Sequence, residues 1–291
     1  MSISRRTFLG QVAAGTLLST ATGGGAAAEH RIERLGVQLY TARDLMAKDF
    51  EGTLAKIASL GYQEVEFAGY FDQTPKNVRA ILERNTLIAP SAHIDYPSLG
   101  EKLPEIIDAS GIIGHRYLVN PWIDEEMRKQ PDVWKRVAET FNRAGEATRK
   151  AGIQFAYHNH HFEFVPVNGT MPYDLLLKEC DPNLVKMELD LCWITVAGQD
   201  PLTYFSRYPG RFPLVHVKGL KKLPTGPAPA PFDQAIPNIT DVGSSDIIDW
   251  KRIFEHSEQA GIRHYFVEHD QPASPLDSLR ASATYLRALR F

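Results

Sequence analysis

Three of the ten histidines fall within four positions, in Tyr157-His158-Asn159-His160-His161-Phe162-Glu163-Phe164, which closes an apolar run beginning at Gln154. If 155–158 is a strand, alternation puts Ala156, His158 and then His160 on one side, with Tyr157 and Asn159 on the other. Imidazoles at a strand end suit two tasks, proton transfer near neutrality and metal ligation. Other short apolar runs end the same way. Gln38 and Tyr40, Glu66, His93 and Asp95, Asn120, Glu188 and Asp190, His216 and Lys218, and Glu268 and His269 each close one. Oxygen and nitrogen donors converging from several strands suit one divalent cation, with Mn, Mg, Co and Zn all compatible, and Asp190, His216 and Glu268 are its expected ligands.

The elements that must position these groups alternate along the chain. Strands are expected at 35–40, 64–67, 87–93, 116–119, 155–158, 185–190, 212–218 and 265–268. Amphipathic helices are expected at 50–60, 75–84, 99–109 with an early interruption at Pro104, 131–150, 170–178 with Thr170 as cap, 201–208, 247–260 and 276–289. Eight βα units in this length predict an α/β fold, a single-domain (β/α)8 TIM barrel, whose active site lies at the carboxyl ends of the strands. An open doubly wound sheet is the alternative, but no Gly-x-Gly-x-x-Gly follows an early strand. The Pro-, Gly- and Ala-rich stretch 223–245 is too long for an ordinary connection and reads as a functional loop.

With 43% hydrophobic and 23% charged residues the composition is that of a globular protein. Ser4-Arg5-Arg6-Thr7-Phe8-Leu9, followed by an acid-free run of small and apolar residues to Ala28, reads as an export signal of the twin-arginine (Tat) class, with Gly10 where Lys is usual. Residues 1–28 are therefore expected to be a signal peptide and 29–291 the barrel, acting in the periplasm or otherwise outside the cytoplasm. Gln11, Thr16, Ser19 and Thr20 interrupt the run, which argues against a retained membrane span. Loss of Arg5 and Arg6 with the leader takes the formal charge from −3 to −5, which offers no basic footprint for nucleic acid. Cys180 and Cys192 are expected as buried thiols, and an oligomer is left open.

Tyr157-His158-Asn159-His160, Glu188-Leu189-Asp190, Leu214-Val215-His216-Val217-Lys218, Val242-Gly243 and Val267-Glu268, in this order, resemble the xylose-isomerase-like TIM barrels known as sugar phosphate isomerases/epimerases, which include inosose dehydratases and ketose 3-epimerases. The resemblance spans about 35–289. It implies one divalent cation held by acidic residues and a histidine from strands five to eight. By position Asp190, His216 and Glu268 match, while His158 stands where a Glu is usual, and His160 or Glu163 are other possible strand-five ligands. It further implies proton transfer next to a carbonyl through an enediolate, with Glu268 and His158 as acid/base residues, Lys218 stabilising the oxyanion, and Glu66, His93, His160 and Glu163 binding sugar hydroxyls. The expected substrate is a small sugar, unphosphorylated or 3-keto. The expected activity is isomerase/epimerase, the alternatives a 3-keto-glycoside lyase and a non-catalytic sugar-binding barrel; the family's endonuclease branch fits least.

Overall fold

The computed structural model describes residues 29–130, 132–226 and 231–291. The expected leader, Pro131 at the start of the expected fourth helix, and 227–230 in the long loop lie outside the described residues. Eight parallel strands form a closed barrel: β1 Leu35–Gln38, β2 Glu64–Phe67, β3 Ile88–His93, β4 Tyr117–Asn120, β5 Gln154–His158, β6 Val185–Asp190, β7 Leu214–Val217 and β8 His264–Val267. Val37 pairs with Val65 on one side and Val267 on the other, so β1 has no free edge and the open sheet is excluded.

Alternation divides each strand between two environments. Outward residues such as Val37, Phe67, Leu118, Tyr157, Leu189 and Val217 join the main core under the helices. Inward, Val119, Ala156, Leu214 and Phe266 form a separate apolar plug inside the barrel. Gly36 makes room for it, since a Cβ there would stand 2.5 Å from Phe266 Cδ1. Burying a Phe such as this one is worth roughly 2–3 kcal/mol, and the plug seals the barrel beneath the polar strand ends. At the opposite mouth the buried Glu64 pairs with His264 at 2.7 Å.

The longest helix, Val133–Lys150, shows how the outer layer is set. Its buried Trp134, Val137, Ala138, Phe141, Ala144, Gly145 and Thr148 recur at helical spacing, and the Phe141 ring lies 5.2 Å from those of Phe155 and Tyr157 on β5. Gly152, at φ 75°, turns the chain into β5. Between β2 and β3 the register slips, Glu64 facing Ile88 but Glu66 facing Ser91, and this bulge brings Ser91 beside Glu66.

Several expected bounds shift. After Gln38 the chain turns into a short 3-10 segment, Leu39–Ala42, because the Gln38 side chain accepts from Tyr40 N. The third helix is Leu103–Ile113, with Pro104 in its first turn, where a missing N–H costs nothing, rather than interrupting it. Thr170 does not cap the next helix, Pro172–Glu179; its backbone pairs with Val167 instead. The expected seventh helix divides into Trp250–Phe254 and Ser257–Ala260, for the His256 ring donates to Arg252 O while its backbone N–H turns to Ile253 O. Within the long loop, Ile239–Thr240 pairs antiparallel with Gly219–Leu220, and Phe232–Ala235 forms a short helix. His30 N donates to Phe291 O (2.6 Å) and Phe291 N to His30 O (3.0 Å), which joins the two ends of the described chain.

Candidate metal centre and substrate cleft

Above the apolar plug the same inward positions turn polar. The register sets Gln38 beside Glu66, His158 beside Glu188 and Asp190 beside His216. His216 occupies the centre, fully buried. Its Nε2 lies 2.7 Å from Glu66 Oε2 and 3.3 Å from Glu188 Oε2; its Nδ1 lies 2.9 Å from Glu268 Oε2 and 3.9 Å from Asp190 Oδ2. One step higher, Lys218 Nζ lies 3.1 Å from Asp190, 2.8 Å from Glu268 and 2.9 Å from Asp270.

Asp190 has two faces. Its Oδ1 accepts from Cys192 N (2.9 Å) and Trp193 N (2.7 Å), capping Leu191–Val196. Its Oδ2 has no well-aligned hydrogen bond despite complete burial, and it points to His216 and Lys218. Donor atoms of Asp190, His216 and Glu268 all lie within 4.8 Å of one another. A second set, His93, His158, Glu188 and His216, meets the same criterion and shares His216. Three buried atoms of these sets, Asp190 Oδ2, Glu188 Oε1 and His158 Nδ1, make no well-aligned hydrogen bond, and such atoms are costly unless something completes them. Five carboxylates (Glu66, Glu188, Asp190, Glu268 and Asp270) face one ammonium and the imidazoles of His93 and His216, so even with both imidazoles charged negative charge is in excess. Donor chemistry, buried atoms without an aligned hydrogen bond and charge thus fit a divalent cation, which Asp190, His216 and Glu268 could hold, with Glu66 behind His216.

The electrostatics sort the ionisable groups. Burial opposes charge on His93, but Glu66 and Glu188 outweigh it and hold its pKa up at about 9. Burial likewise opposes charge on His216, and the carboxylates of Glu188 and Glu268 raise it well above the usual imidazole range. His158 goes the other way: burial, then the positive charges around His216, His160, His93 and Lys218, push it well below that range. Burial raises Asp190 to about 6 against the pull of Lys218. For Glu268 burial is overcome by Lys218 and His216, which hold its carboxyl well below the usual range.

Of the residues expected from the sequence, His93, His158, Asp190, His216, Lys218 and Glu268 converge here. The expected four-residue ligand set divides, however. His158 Nε2 is 3.9 Å from Asp190 Oδ2, while its Nδ1 faces Glu188 Oε2 at 3.4 Å in the neighbouring set. Two expected hydroxyl-binding residues are placed otherwise. Glu66 is fully buried, and its oxygens are taken by Gln38 Nε2 (2.7 Å), His216 Nε2 and Ser91 Oγ. Glu163, also an expected alternative ligand, is fully buried and in neither donor set; one oxygen accepts from Tyr157 OH and the other from His160 N at 2.9 Å, which pins the turn after β5. The sequence reading placed Glu188 among the strand-end donors without giving it a role, and it did not name Asp270. Asp270 lies two residues after Glu268, so the alternation that found its neighbour could have found it. Cys192, in the helix that Asp190 caps, is a free buried thiol, and Cys180 is free and buried as well.

The centre opens into a cleft of about 950 Å³ reached by His93, His158, His160, Glu268 and Asp270 from the floor and by Tyr40, Tyr96, Trp122 and Phe232 higher up. His160 stands between the two regions, with its ring 5.0 Å from that of His158 and 4.9 Å from that of Trp122. No helix among the described residues is long and apolar enough to cross a membrane.

Comparison with known proteins agrees with this architecture. The chain is 24% identical to the inosose dehydratase of Lacticaseibacillus casei over 268 residues, covering 82% of this chain and 89% of the relative. A sugar phosphate isomerase/epimerase from Parabacteroides distasonis superposes with a TM-score of 0.73 at 26% identity, covering 93% of this chain and 97% of the other. A barrel from Mycobacterium smegmatis solved in complex with magnesium shares the fold, with a TM-score of 0.61 at 14% identity and coverage of 87% and 95%. Residues 54–289 match the family described as xylose isomerase-like TIM barrel, and the chain belongs to that family.

Proposed function

We propose that this barrel is a divalent-metal-dependent enzyme that removes a proton from the carbon beside a sugar carbonyl and expels the substituent on the next carbon, a lyase acting on a 3-keto sugar derivative. The observation that carries this is the convergence of Asp190, His216 and Glu268, with Lys218 beside them and His158 adjoining, beneath one cleft whose floor Glu268 and His158 line. Asp190, His216 and Glu268 would hold the cation, whose chemistry when bound is to polarise the carbonyl oxygen. The Lys218 ammonium stabilises the negative charge that gathers on that oxygen as the proton leaves.

His158 takes the proton. A hydrogen on Nδ1, toward Glu188, leaves the Nε2 lone pair on the Asp190 side, and the buried, cation-ringed imidazole stays neutral. His93, kept protonated by Glu66 and Glu188 with its ring 5.5 Å from that of His158, donates to the departing group. A neutral base beside a charged acid is an asymmetric pair, which suits elimination: the C2 proton goes to His158, the C1 substituent leaves with a proton from His93, and a C1=C2 double bond forms. One relative is named a dehydratase, an elimination by class, and a structural neighbour an isomerase/epimerase. The isomerase/epimerase expected from the resemblance is the second reading, favoured by the Asp190, His216 and Glu268 set.

The test is incubation of the Mn²⁺-loaded protein with a 3-keto-glucoside in D2O. The expected result is release of the aglycone with loss of the C2 proton from the product, and deuterium at C2 only in recovered substrate, all abolished by chelation and restored by Mn²⁺. Exchange without release indicates isomerisation, exchange that survives exhaustive metal removal refutes the metal-dependent reading, and neither reaction leaves a binding barrel. On the twin-arginine motif we further propose that the enzyme acts outside the cytoplasm, which fractionation of cells carrying Arg5→Lys and Arg6→Lys checks by retention of the protein inside.

A further inference from the structure

The cleft is larger than its polar floor requires. At about 950 Å³ it lies at the upper end of the range for sites that enclose drug-sized ligands (~300–1,000 Å³), more than one hexose fills. Its two halves also differ in chemistry: His93, His158, His160, Glu268 and Asp270 gather on the floor, while Tyr40, Tyr96, Trp122 and Phe232, from the loops after β1, β3, β4 and β7, line the outer part with Asp95 and Asp124 beside them.

These outer aromatics are held in place. Trp122 meets the edge or face of His160 and Phe162 at 90° and 86°, with centroids 4.9 and 5.0 Å away, and Arg128 lies 3.6 Å over Phe162 behind it. Phe232 stacks on the fully buried Trp193 at 4.9 Å and 19°. Yet Phe232 remains 38% exposed and Tyr40 43%, two large apolar side chains open to water on one cleft. Aromatic rings braced from behind and bare toward a cleft offer flat surfaces whose ordering cost is already met before a ligand arrives.

We infer that the outer half is a second subsite, which takes a flat ring attached to the sugar bound on the floor, so that the substrate is a glycoside with an aromatic aglycone rather than a free monosaccharide. This rests on the reading of the floor as a sugar site. Trp122 and Phe232 are the specificity-determining residues: they grip the ring beyond the bond that breaks and set which glycosides are accepted.

Calorimetric titration of the Mn²⁺-loaded protein with p-nitrophenyl β-glucoside, methyl β-glucoside and cellobiose tests this without any reaction. The aryl glucoside is expected to bind at least about tenfold more tightly than the methyl glucoside, a difference of about 1.4 kcal/mol, and more tightly than cellobiose. Trp122→Ala, and independently Phe232→Ala at the more exposed of the two positions, each with its thermal melt unchanged, should bring the aryl-to-methyl ratio toward one. Equal binding of aryl and methyl glucosides, a preference for cellobiose, or a ratio unchanged in both variants overturns the inference. The D2O assay on 3-keto-glucose, which has no aglycone, reads the floor chemistry alone. Exchange there with no aryl preference refutes only the subsite; aryl preference with no exchange refutes only the reaction.

Discussion

Replacing Asp190 by Asn separates two tasks that one carboxylate performs. Oδ1 caps Leu191–Val196 through Cys192 N and Trp193 N, and an amide oxygen can go on accepting both bonds. Oδ2, the proposed ligand atom, becomes an uncharged amide nitrogen that cannot coordinate. Without metal the charge itself is a burden. Burial raises the pKa from 3.8 to about 6, so at pH 7 the ionised form costs roughly 3 kcal/mol relative to the unfolded chain. The sign follows from proton binding: the folded state holds this proton more tightly, so its contribution favours folding below pH 3.8 and is lost as pH rises through 6. Lys218 keeps Glu268 and Asp270 as partners. Metal-free Asp190→Asn is therefore expected to be at least as stable as the parent at pH 7, by up to about 3 kcal/mol. Asp190→Ala, which also loses the cap, should fall about 1–2 kcal/mol below Asp190→Asn. Affinity for Mn²⁺ should drop at least about 100-fold in both, beyond the 10–100-fold typical of losing a residue that merely supports a ligand. Urea denaturation of EDTA-treated protein reads the first effect and Mn²⁺ calorimetry the second. An Asn variant that binds Mn²⁺ as tightly as the parent refutes the ligand role and leaves Asp190 only a cap.

Two further outcomes follow from groups away from the centre. His115, buried between Ala89 O and Tyr70 OH, is pushed by burial down to about 4, so the unfolded chain takes up its proton first on acidification; this contribution is intact above pH 6.5 and lost between 6.5 and 4, about 3 kcal/mol in all. Denaturation midpoints across that range should fall less steeply in His115→Asn, and equal slopes would contradict this. Gly145→Ala should destabilise by about 1–2 kcal/mol although Ala is the better helix former, because the new Cβ would stand 2.6 Å from Leu184 O; Gly111→Ala, with open space at its Cβ, should stabilise by roughly 0.5–1 kcal/mol, and a thermal melt of each checks the opposite signs.

The barrel and much of its centre were legible because both depend on periodicity. Eight apolar runs with polar ends state the strands, and a period of two states which residues share the interior; His158, Asp190, His216 and Glu268 follow from it. What alternation cannot state is who else wants the same group. Glu66 looks like a free strand-end acid until the bulge between β2 and β3 brings Ser91 to one oxygen and the barrel's closure brings His216 to the other. Glu163 looks like a ligand until the Tyr157 hydroxyl, outward on the strand just before it, reaches it. Trp122 and Phe232 lie in loops, where no period exists to say which way a ring turns. The division of the expected 247–260 helix likewise hinges on one side chain, the His256 ring taking a carbonyl that a continuous helix would use.

The paired backbones of His30 and Phe291 fasten the beginning of the described chain to its end where β1 starts and the last helix, Pro275–Ala288, finishes, which is the rim opposite the cleft. That stitch is a ready handle. A reporter or a resin attached at His30 or Phe291 would hang below the barrel and leave the mouth unobstructed. A short linker across the stitch would also let the chain be reopened elsewhere, with the order of its βα units permuted and every strand keeping both neighbours.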